Sequence, residues 1–322
     1  MLFITESEVR QLLPMTKAID LVEKGFLHLA AERAANHPRR RLQLDSSAML
    51  HYMTAVDLAT GYLGAKVYAT HPQTGAHFVV LLFSSDGRPL ASIEADALGQ
   101  IRTGAATGVA TRRLARQDAH ILGIIGSGYQ AQTQLEAIAQ VRKLHQVRVF
   151  SRSEANRRRF AEEMSARLGL PVAPAPSGEA AIRGCDIAVT ATTSRDPVLL
   201  GEWLSPGVHI NAVGSNHAKR RELDTSAVER ASLVVADSLE QSRMESGDLI
   251  AAFDEDAGRW SRVAELASVI AGAVPGRTSP DQITLFKSNG LALEDIAVAG
   301  FIYEQAMATQ TSGPAARSPA RH

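Results

Sequence analysis

The run Gly126-Ser127-Gly128-Tyr129-Gln130-Ala131 constrains this chain more than any other feature, because of what flanks it. It follows Ile121-Leu122-Gly123-Ile124-Ile125, an apolar segment that reads as a buried strand, and it precedes a helix expected over Gln132 to Val141. Gly-x-Gly-x-x-Gly/Ala carries little weight by itself; a strand before it and a helix after it give it meaning. In that setting the first glycine makes the tight turn and the second lets backbone approach a pyrophosphate. Ala131 then lets helix and strand pack closely. The free N–H groups of the helix start face phosphate. The segment is read as the phosphate-binding turn of a Rossmann-type domain, with cofactor contacts at Gly126, Gly128, Gln130 and Ala131.

The surrounding pattern supports this. Residues 118–290 alternate short apolar strands with helical stretches, the strands being Ile121–Ile125, Gln146–Phe150, Ile187–Thr190, His209–Val213 and Leu233–Ala236. Such alternation predicts an α/β fold with a doubly wound parallel sheet covered by helices on both faces. Residues 1–117 read differently. A helix after Met15 places Ile19, Val22, Phe26 and Leu29 on one face. Strand-like segments follow at Arg41–Leu44, Met49–Met53, Ala65–Tyr68 and His77–Phe83, the last closed by an Asp86-Gly87 turn. A second helix is expected over Ala95 to Ala115, its basic end suiting the negative pole of the helix dipole. From Leu291 to about Met307 one amphipathic helix is expected, and 310–322 reads as a polar, disordered tail.

Charge excludes some partners. Lysine plus arginine and aspartate plus glutamate both number 34, so no strong field favours nucleic acid or an anionic membrane. No apolar run approaches the roughly 20 residues needed to span a bilayer. The start, Met1 to Glu6, lacks a signal-peptide pattern, and the single cysteine, Cys185, suits a reducing compartment. A soluble, cytoplasmic protein is the expectation. His51, His71 and His77 are too scattered for metal-ligand spacing and are read as solvent-facing or satisfied, so no metal is expected. There is no Gly-x-Ser-x-Gly elbow and no Walker sequence, which disfavours hydrolase and nucleotidase readings.

The second strand of the nucleotide region bears on the cofactor. An NAD-preferring site usually ends that strand with an acid on the ribose hydroxyls. Here it ends Phe150-Ser151-Arg152-Ser153. Two hydroxyls and an arginine, with Arg157 as a helper, suit a 2′-phosphate, so NADPH is expected and NADH is the alternative. Arg152 covering the adenine face is the competing reading.

The lysine of Gly64-Ala65-Lys66-Val67, the segment Ile101-Arg102-Thr103-Gly104-Ala105-Ala106 and the glycine turn occur in that order. Gly214-Ser215-Asn216 leads on to Arg221-Glu222-Leu223-Asp224, and Phe286-Lys287-Ser288-Asn289-Gly290 precedes the last helix. This ordered set, over nearly the whole chain, resembles the ornithine cyclodeaminase/mu-crystallin family of NAD(P)-dependent enzymes. The resemblance implies a homodimer of two-domain subunits. Residues 1–117 with 291–309 would form an α+β substrate-binding and dimerisation domain, and 118–290 would hold the cofactor. Members cyclise and deaminate ornithine to proline or reduce imines and keto acids to amino acids. All pass hydride between nicotinamide and a carbon bearing nitrogen and carboxylate. The chemistry needs a cationic clamp and a proton-transfer group.

Arg102 matches the family's substrate-binding arginine. It opens a helical segment of small residues where a long charge is costly to bury without an anion. A planar guanidinium matches a carboxylate bidentately. The competing reading pairs it with Glu94 or Asp96. A second family arginine falls in Arg39-Arg40-Arg41. Strand alternation puts Arg39 and Arg41 on one face, and Arg41, directly before the apolar strand, matches best, although the sequence leaves the register open. Lys66 matches the catalytic lysine; between apolar neighbours its pKa would fall toward neutrality, suiting proton transfer. An exposed edge lysine is the alternative.

Asn216 departs from the family pattern, in which cyclodeaminases carry an aspartate at the matching position. Asparagine hydrogen-bonds but accepts no proton. That disfavours ornithine, with its two ammonium groups, and favours imine reduction. Asp224 is read as a helix cap. Further cofactor contacts are expected at Thr103, Thr192, Val213, Gly214, Ser215, Arg220 and Ser288, with Thr190 and Thr193 nearby. The leading expectation is NAD(P)H-dependent reduction of a small cyclic imino acid such as 1-pyrroline-2-carboxylate to an L-amino acid such as proline. Ornithine cyclodeaminase, an alanine-type dehydrogenase and a non-catalytic NADPH or ligand binder are the alternatives.

Overall fold

The computed structural model describes residues 1–44, 47–254 and 256–312. Six strands, β1 (Leu2–Ile4), β2 (Ala34–Leu44), β3 (Ala48–Asp57), β4 (Tyr62–His71), β5 (Gly75–Ser84) and β6 (Pro89–Glu94), form one sheet in the order β1-β6-β5-β4-β3-β2. It is antiparallel except where β1 runs parallel to β6. Along β3 the burial alternates: His51, Met53, Ala55 and Asp57 are buried, while Leu50, Tyr52 and Val56 are exposed. The sheet therefore has an inner face toward the core and an outer face toward solvent. Helices α1 (Glu6–Leu12), α2 (Met15–Ala30) and α3 (Asp96–Leu114) belong to this half. In α1, Thr5 and Glu8 form a capping box that the sequence reading passed over.

The second sheet contains β7 (Ile121–Ile125), β8 (Gln146–Phe150), β9 (Val172–Pro174), β10 (Ile187–Thr190), β11 (His209–Ala212), β12 (Leu233–Ala236), β13 (Val263–Glu265) and β14 (Thr284–Lys287). Its order is β13-β12-β14-β11-β10-β7-β8-β9, and every pairing is parallel. The helices are α4 (Tyr129–Val141), α5 (Glu154–Leu168), α6 (Gly178–Ile182), α7 (Thr225–Arg230), α8 (Leu239–Glu245), α9 (Gly247–Phe253), α10 (Ala257–Trp260) and α11 (Leu266–Ile270). Leu122, Ile124, Val147 and Val149 pack with Leu135 of α4 and Phe160 of α5. Ala188, Ile210 and Val234 pack instead with Val228 of α7 and Phe253 of α9. Helices cover both faces, and the fold is α/β, a Rossmann-like parallel sheet joined to a second sheet.

The five expected strands are present, with three more. β9 and β13 are three residues long, too short for a period, and β14 sits fully buried between β11 and β12. The last helix, α12 (Ala292–Ser312), departs from its expected amphipathic character. Ala292 to Ile296 are all buried, as are Val298, Ala299 and Gly300. Instead of capping the surface, α12 passes between the inner face of the first sheet and helices α2 and α3. Helix continues through residues 310–312; the remainder of the expected tail lies outside the described residues. Among the described residues no helix is long and apolar enough to cross a membrane.

Candidate functional site

Strand order reverses at β7, which lies between β8 and β10. Ligands of open α/β sheets bind at such a reversal, beyond the carboxyl ends of the strands. A cleft of about 630 Å³ opens there, lined by Gly126, Ser127, Gly128, Ser151, Arg152, Ser153, Asn156, Thr192 and Thr193, among others. Gly126 has φ +118°, and a Cβ on it would lie 2.3 Å from the Ala191 carbonyl oxygen. Gly128 immediately precedes α4, and a Cβ there would meet no atom of the described residues beyond its chain neighbours within 4 Å. The first glycine is demanded by the fold; the second keeps open a cradle that a side chain would fill. Residues and space thus fit a dinucleotide.

The loops bounding the cleft are held from beneath by Glu222, a role that no local motif marks. Its Oε1 accepts from the Thr192 N–H at 2.6 Å and from the Thr192 hydroxyl at 2.7 Å. Its Oε2 accepts from the Gly214 N–H at 2.7 Å and the Thr190 hydroxyl at 2.9 Å. Burial raises its pKa, with Lys287 opposing. Below it Lys287 pairs with Asp248 at 2.9 Å, both fully buried, and donates to the Ser215 carbonyl at 2.6 Å.

Not every expected cofactor residue faces the cleft. Ser153 does line it, but its hydroxyl is taken up in capping α5, accepting from the Asn156 N–H. Arg157 stays behind the loop, donating to the Ser151 carbonyl at 3.0 Å and lying over the Phe150 ring. Ala131 is buried in the α4–sheet contact. The Ser215 hydroxyl is spent on the Arg220 carbonyl, and neither residue lines the cleft or the adjoining cavity. Asp224 caps α7, as expected.

That cavity, about 320 Å³, lies between the inner face of the first sheet, α3, and the loops after β11 and β14. Thr103, Gln130, Val213, Gly214, Asn216 and Ser288 line it beside Lys66 and Arg102. It meets the cleft where Gly214, lining one, packs against Thr192, lining the other. Lys66 is no edge residue: β4 runs between β3 and β5, and the side chain is buried. Gly99 on α3 makes room, since a Cβ there would come within 2.6 Å of Lys66 Nζ. Burial pushes the Lys66 pKa down to about 8, with Asp295 opposing and Arg102 adding to the drop.

Arg102 is buried and ion-paired, but with neither Glu94 nor Asp96. Its Nη1 donates to Glu294 Oε2 at 2.7 Å and its Nε to Asp295 Oδ1 at 3.0 Å. Burial opposes its charge, but Asp295 and Glu294 outweigh that and raise its pKa. Burial also pushes Glu294 up to about 7, Arg102 resisting. The arginine run resolves against the expected register. Arg39 lines the cavity and is buried, whereas Arg41 does not line it. The pairing of β2 with β3 shifts between His37 and Arg40, and Arg41 is left to bond Glu245 Oε2 at 2.6 Å and the Asn216 carbonyl at 3.0 Å. The one local mark of this irregularity is Pro38, since proline within a strand is confined to edges and bulges.

His51 takes the satisfied rather than the solvent-facing form of its expectation, and it is buried. It lines the cavity, stacks on Tyr68 at 4.3 Å, and has Nε2 3.0 Å from the Thr70 hydroxyl. Burial, Arg41 and Arg39 push its pKa down to about 4, so the ring is neutral near pH 7.

Fold and site define a Rossmann-type dinucleotide-binding protein whose cleft runs into a small cationic cavity. The chain belongs to the ornithine cyclodeaminase/mu-crystallin family, whose family model matches residues 1–310. It is 36% identical to a Delta(1)-pyrroline-2-carboxylate reductase of Bacillus cereus, over 95% of this chain and 97% of that protein. The solved Delta(1)-pyrroline-2-carboxylate reductase of Thermococcus litoralis, in complex with NADH and L-proline, superposes with a TM-score of 0.92. It is 38% identical and covers 96% of this chain and 98% of its own. An archaeal alanine dehydrogenase, solved as a dimer with bound NAD, has a TM-score of 0.90 and 35% identity, covering 96% of this chain and 97% of that one.

Proposed function

We propose that this chain is an oxidoreductase that reduces a small cyclic imino acid of the 1-pyrroline-2-carboxylate kind to the L-amino acid. What carries the reading is a single juxtaposition: Lys66 and Arg102 line one cavity of about 320 Å³ at the end of a dinucleotide cleft. Bound nicotinamide supplies the hydride, with NADPH preferred over NADH on the strength of Ser151-Arg152-Ser153. Arg102 keeps Nη2 without a hydrogen-bond partner among the described residues, so Nη2 and the second hydrogen of Nη1 are available to a carboxylate. Lys66, ammonium at neutral pH, donates the proton to the imine nitrogen while hydride adds to the adjacent carbon. The C=N double bond becomes a single bond, and no ammonia leaves. Asn216 offers the substrate hydrogen bonds without taking a proton, which weighs against ornithine.

The active form is a homodimer paired through the outer face of the first sheet. Leu42, Leu50, Tyr52, Val56 and Val79 are exposed on this sheet, and apolar side chains grouped on one face mark a protein contact surface. Two assays test the catalytic reading: NADPH oxidation with 1-pyrroline-2-carboxylate, and ammonia release from L-ornithine with NAD. Imine reduction is expected to dominate. Ornithine turnover far above it would overturn the reading, and tight NADPH binding with neither activity would make the protein a binder.

A further inference from the structure

One carboxylate oxygen serves two of the three cations that line the cavity. Asp295 Oδ1 lies 2.9 Å from Lys66 Nζ and 3.0 Å from Arg102 Nε. Asp295 is fully buried, and its Oδ2 has no hydrogen-bond partner among the described residues. The three residues come from β4, α3 and α12, elements far apart in sequence. A dry carboxylate is costly unless cations compensate it, and one that touches two cations through a single atom limits how far apart they can move. Glu294, the preceding residue, holds Arg102 a second time through Nη1. The guanidinium therefore cannot turn about its own axis, and Nη2 is left as the nitrogen without a protein partner.

We infer that Asp295 is a positioning residue for the reduction: by bridging Lys66 and Arg102 it sets the distance between the proton donor and the carboxylate clamp. This rests on the proposed roles of those two side chains. The bridge has a second effect, since burial and the charges of Arg102 and Arg39 drive Lys66 toward the neutral amine and Asp295 opposes them. Loss of the bridge would then misplace the donor and deprotonate it at lower pH.

Asp295→Asn removes the charge at nearly constant size. Its effect on carboxylate affinity separates positioning from simple electrostatics. Removing a competing anion alone would tighten binding of a carboxylate at Arg102; losing the position of Arg102 would weaken it. The probe is pyrrole-2-carboxylate, a planar carboxylate of matching size, titrated into NADH-loaded protein by cofactor fluorescence. The expected result is a Kd raised fivefold or more with NADH affinity unchanged. In turnover the expected result is kcat/KM down at least tenfold and its alkaline limb moved a full pH unit or more below the wild-type position. A folded variant whose probe Kd falls or stays put, with the limb unmoved, overturns the inference. If the Asn variant does not fold, Asp295→Glu keeps the charge and displaces it by one methylene. Its limb should stay near the wild-type pH while KM rises; wild-type KM would overturn the inference. Wild-type protein that binds the probe but does not reduce the imine would refute the functional reading alone, leaving the probe Kd to decide this one.

Discussion

Arg39 on β2 and Glu245 on α8 form a buried ion pair that joins the first sheet to the nucleotide-binding half. Glu245 is shared further: Oε2 takes Arg41 at 2.6 Å, and Gln241 donates to Oε1 at 2.7 Å. The Arg39 and Glu245 side chains are 3% and 2% exposed, so removing one leaves the other charged and dry. Breaking such a pair costs about 3–5 kcal/mol. Glu245→Gln is expected to lower Tm by several degrees and, since Arg39 lines the cavity, to raise KM for the imino acid. Asp86→Asn, which breaks the exposed Arg88 pair, should leave Tm unchanged in the same melting experiment. Equal shifts in the two variants would contradict this assignment.

The two glycines of the phosphate turn should fail in different ways. Gly126→Ala meets both a positive φ and a backbone oxygen at 2.3 Å, so the turn must distort. Reduced Tm and lost cofactor binding are expected together. Gly128→Ala meets nothing among the described residues beyond its chain neighbours, so its Tm should stay near wild type while the Kd for NADPH rises tenfold or more. Thermal melts with and without cofactor separate the outcomes: stabilisation by NADPH should vanish in Gly128→Ala at cofactor concentrations that stabilise the wild type.

How much of this was legible in the sequence depends on the reach of each signal. Strand, turn and helix around Gly126 are contiguous, so local pattern sufficed for them. Lys66 and Arg102 were found through motifs, but not their partners, because Glu294 and Asp295 are reached only after the chain has formed the whole second sheet. On α12 two adjacent acids look like an ordinary acidic first turn, which suits a helix dipole and gives no hint of burial. Arg39 was hidden by a register shift between His37 and Arg40, where Pro38 interrupts the strand just ahead of the arginines. His51 was passed over because its neighbours, Tyr68 and Thr70, come from the adjacent strand, and a pairing register is not written in either strand alone. The signal that could have found it is alternation: His51, Met53 and Ala55 share the buried face of β3.

Lys66 makes a pH prediction with a definite sign. The proposed reduction uses the ammonium form, and burial has brought the pKa down to about 8. The kcat/KM for imine reduction should therefore be limited by protonated Lys66 above that value, falling about tenfold per pH unit, and this limitation should vanish below it. Oxidation of the amino acid, which needs the neutral amine, should show the opposite limb. Lys66→Met should cut turnover a hundredfold or more and leave the Kd for NADPH unchanged, as Lys66 does not line the cleft. A Met variant with near wild-type turnover would remove Lys66 from the mechanism.

In the proposed reading Arg152 selects between the two cofactors. It lines the cleft next to Ser151 and just ahead of α5, whose first N–H groups add a partial positive charge at the same place. No carboxylate ends β8 to hold a ribose 2′-hydroxyl. A 2′-phosphate should therefore gain a charge-assisted contact that a hydroxyl cannot. Arg152→Ala is expected to raise KM for NADPH at least tenfold and to leave KM for NADH within about twofold, these factors being the scale of one such contact. Since Arg157 donates to the Ser151 carbonyl from behind the loop, Arg157→Ala should weaken both cofactors by a similar factor. The comparison is the ratio of kcat/KM for the two cofactors in each variant. A ratio that Arg152→Ala leaves unchanged would mean that Arg152 covers the adenine face and does not select the phosphate.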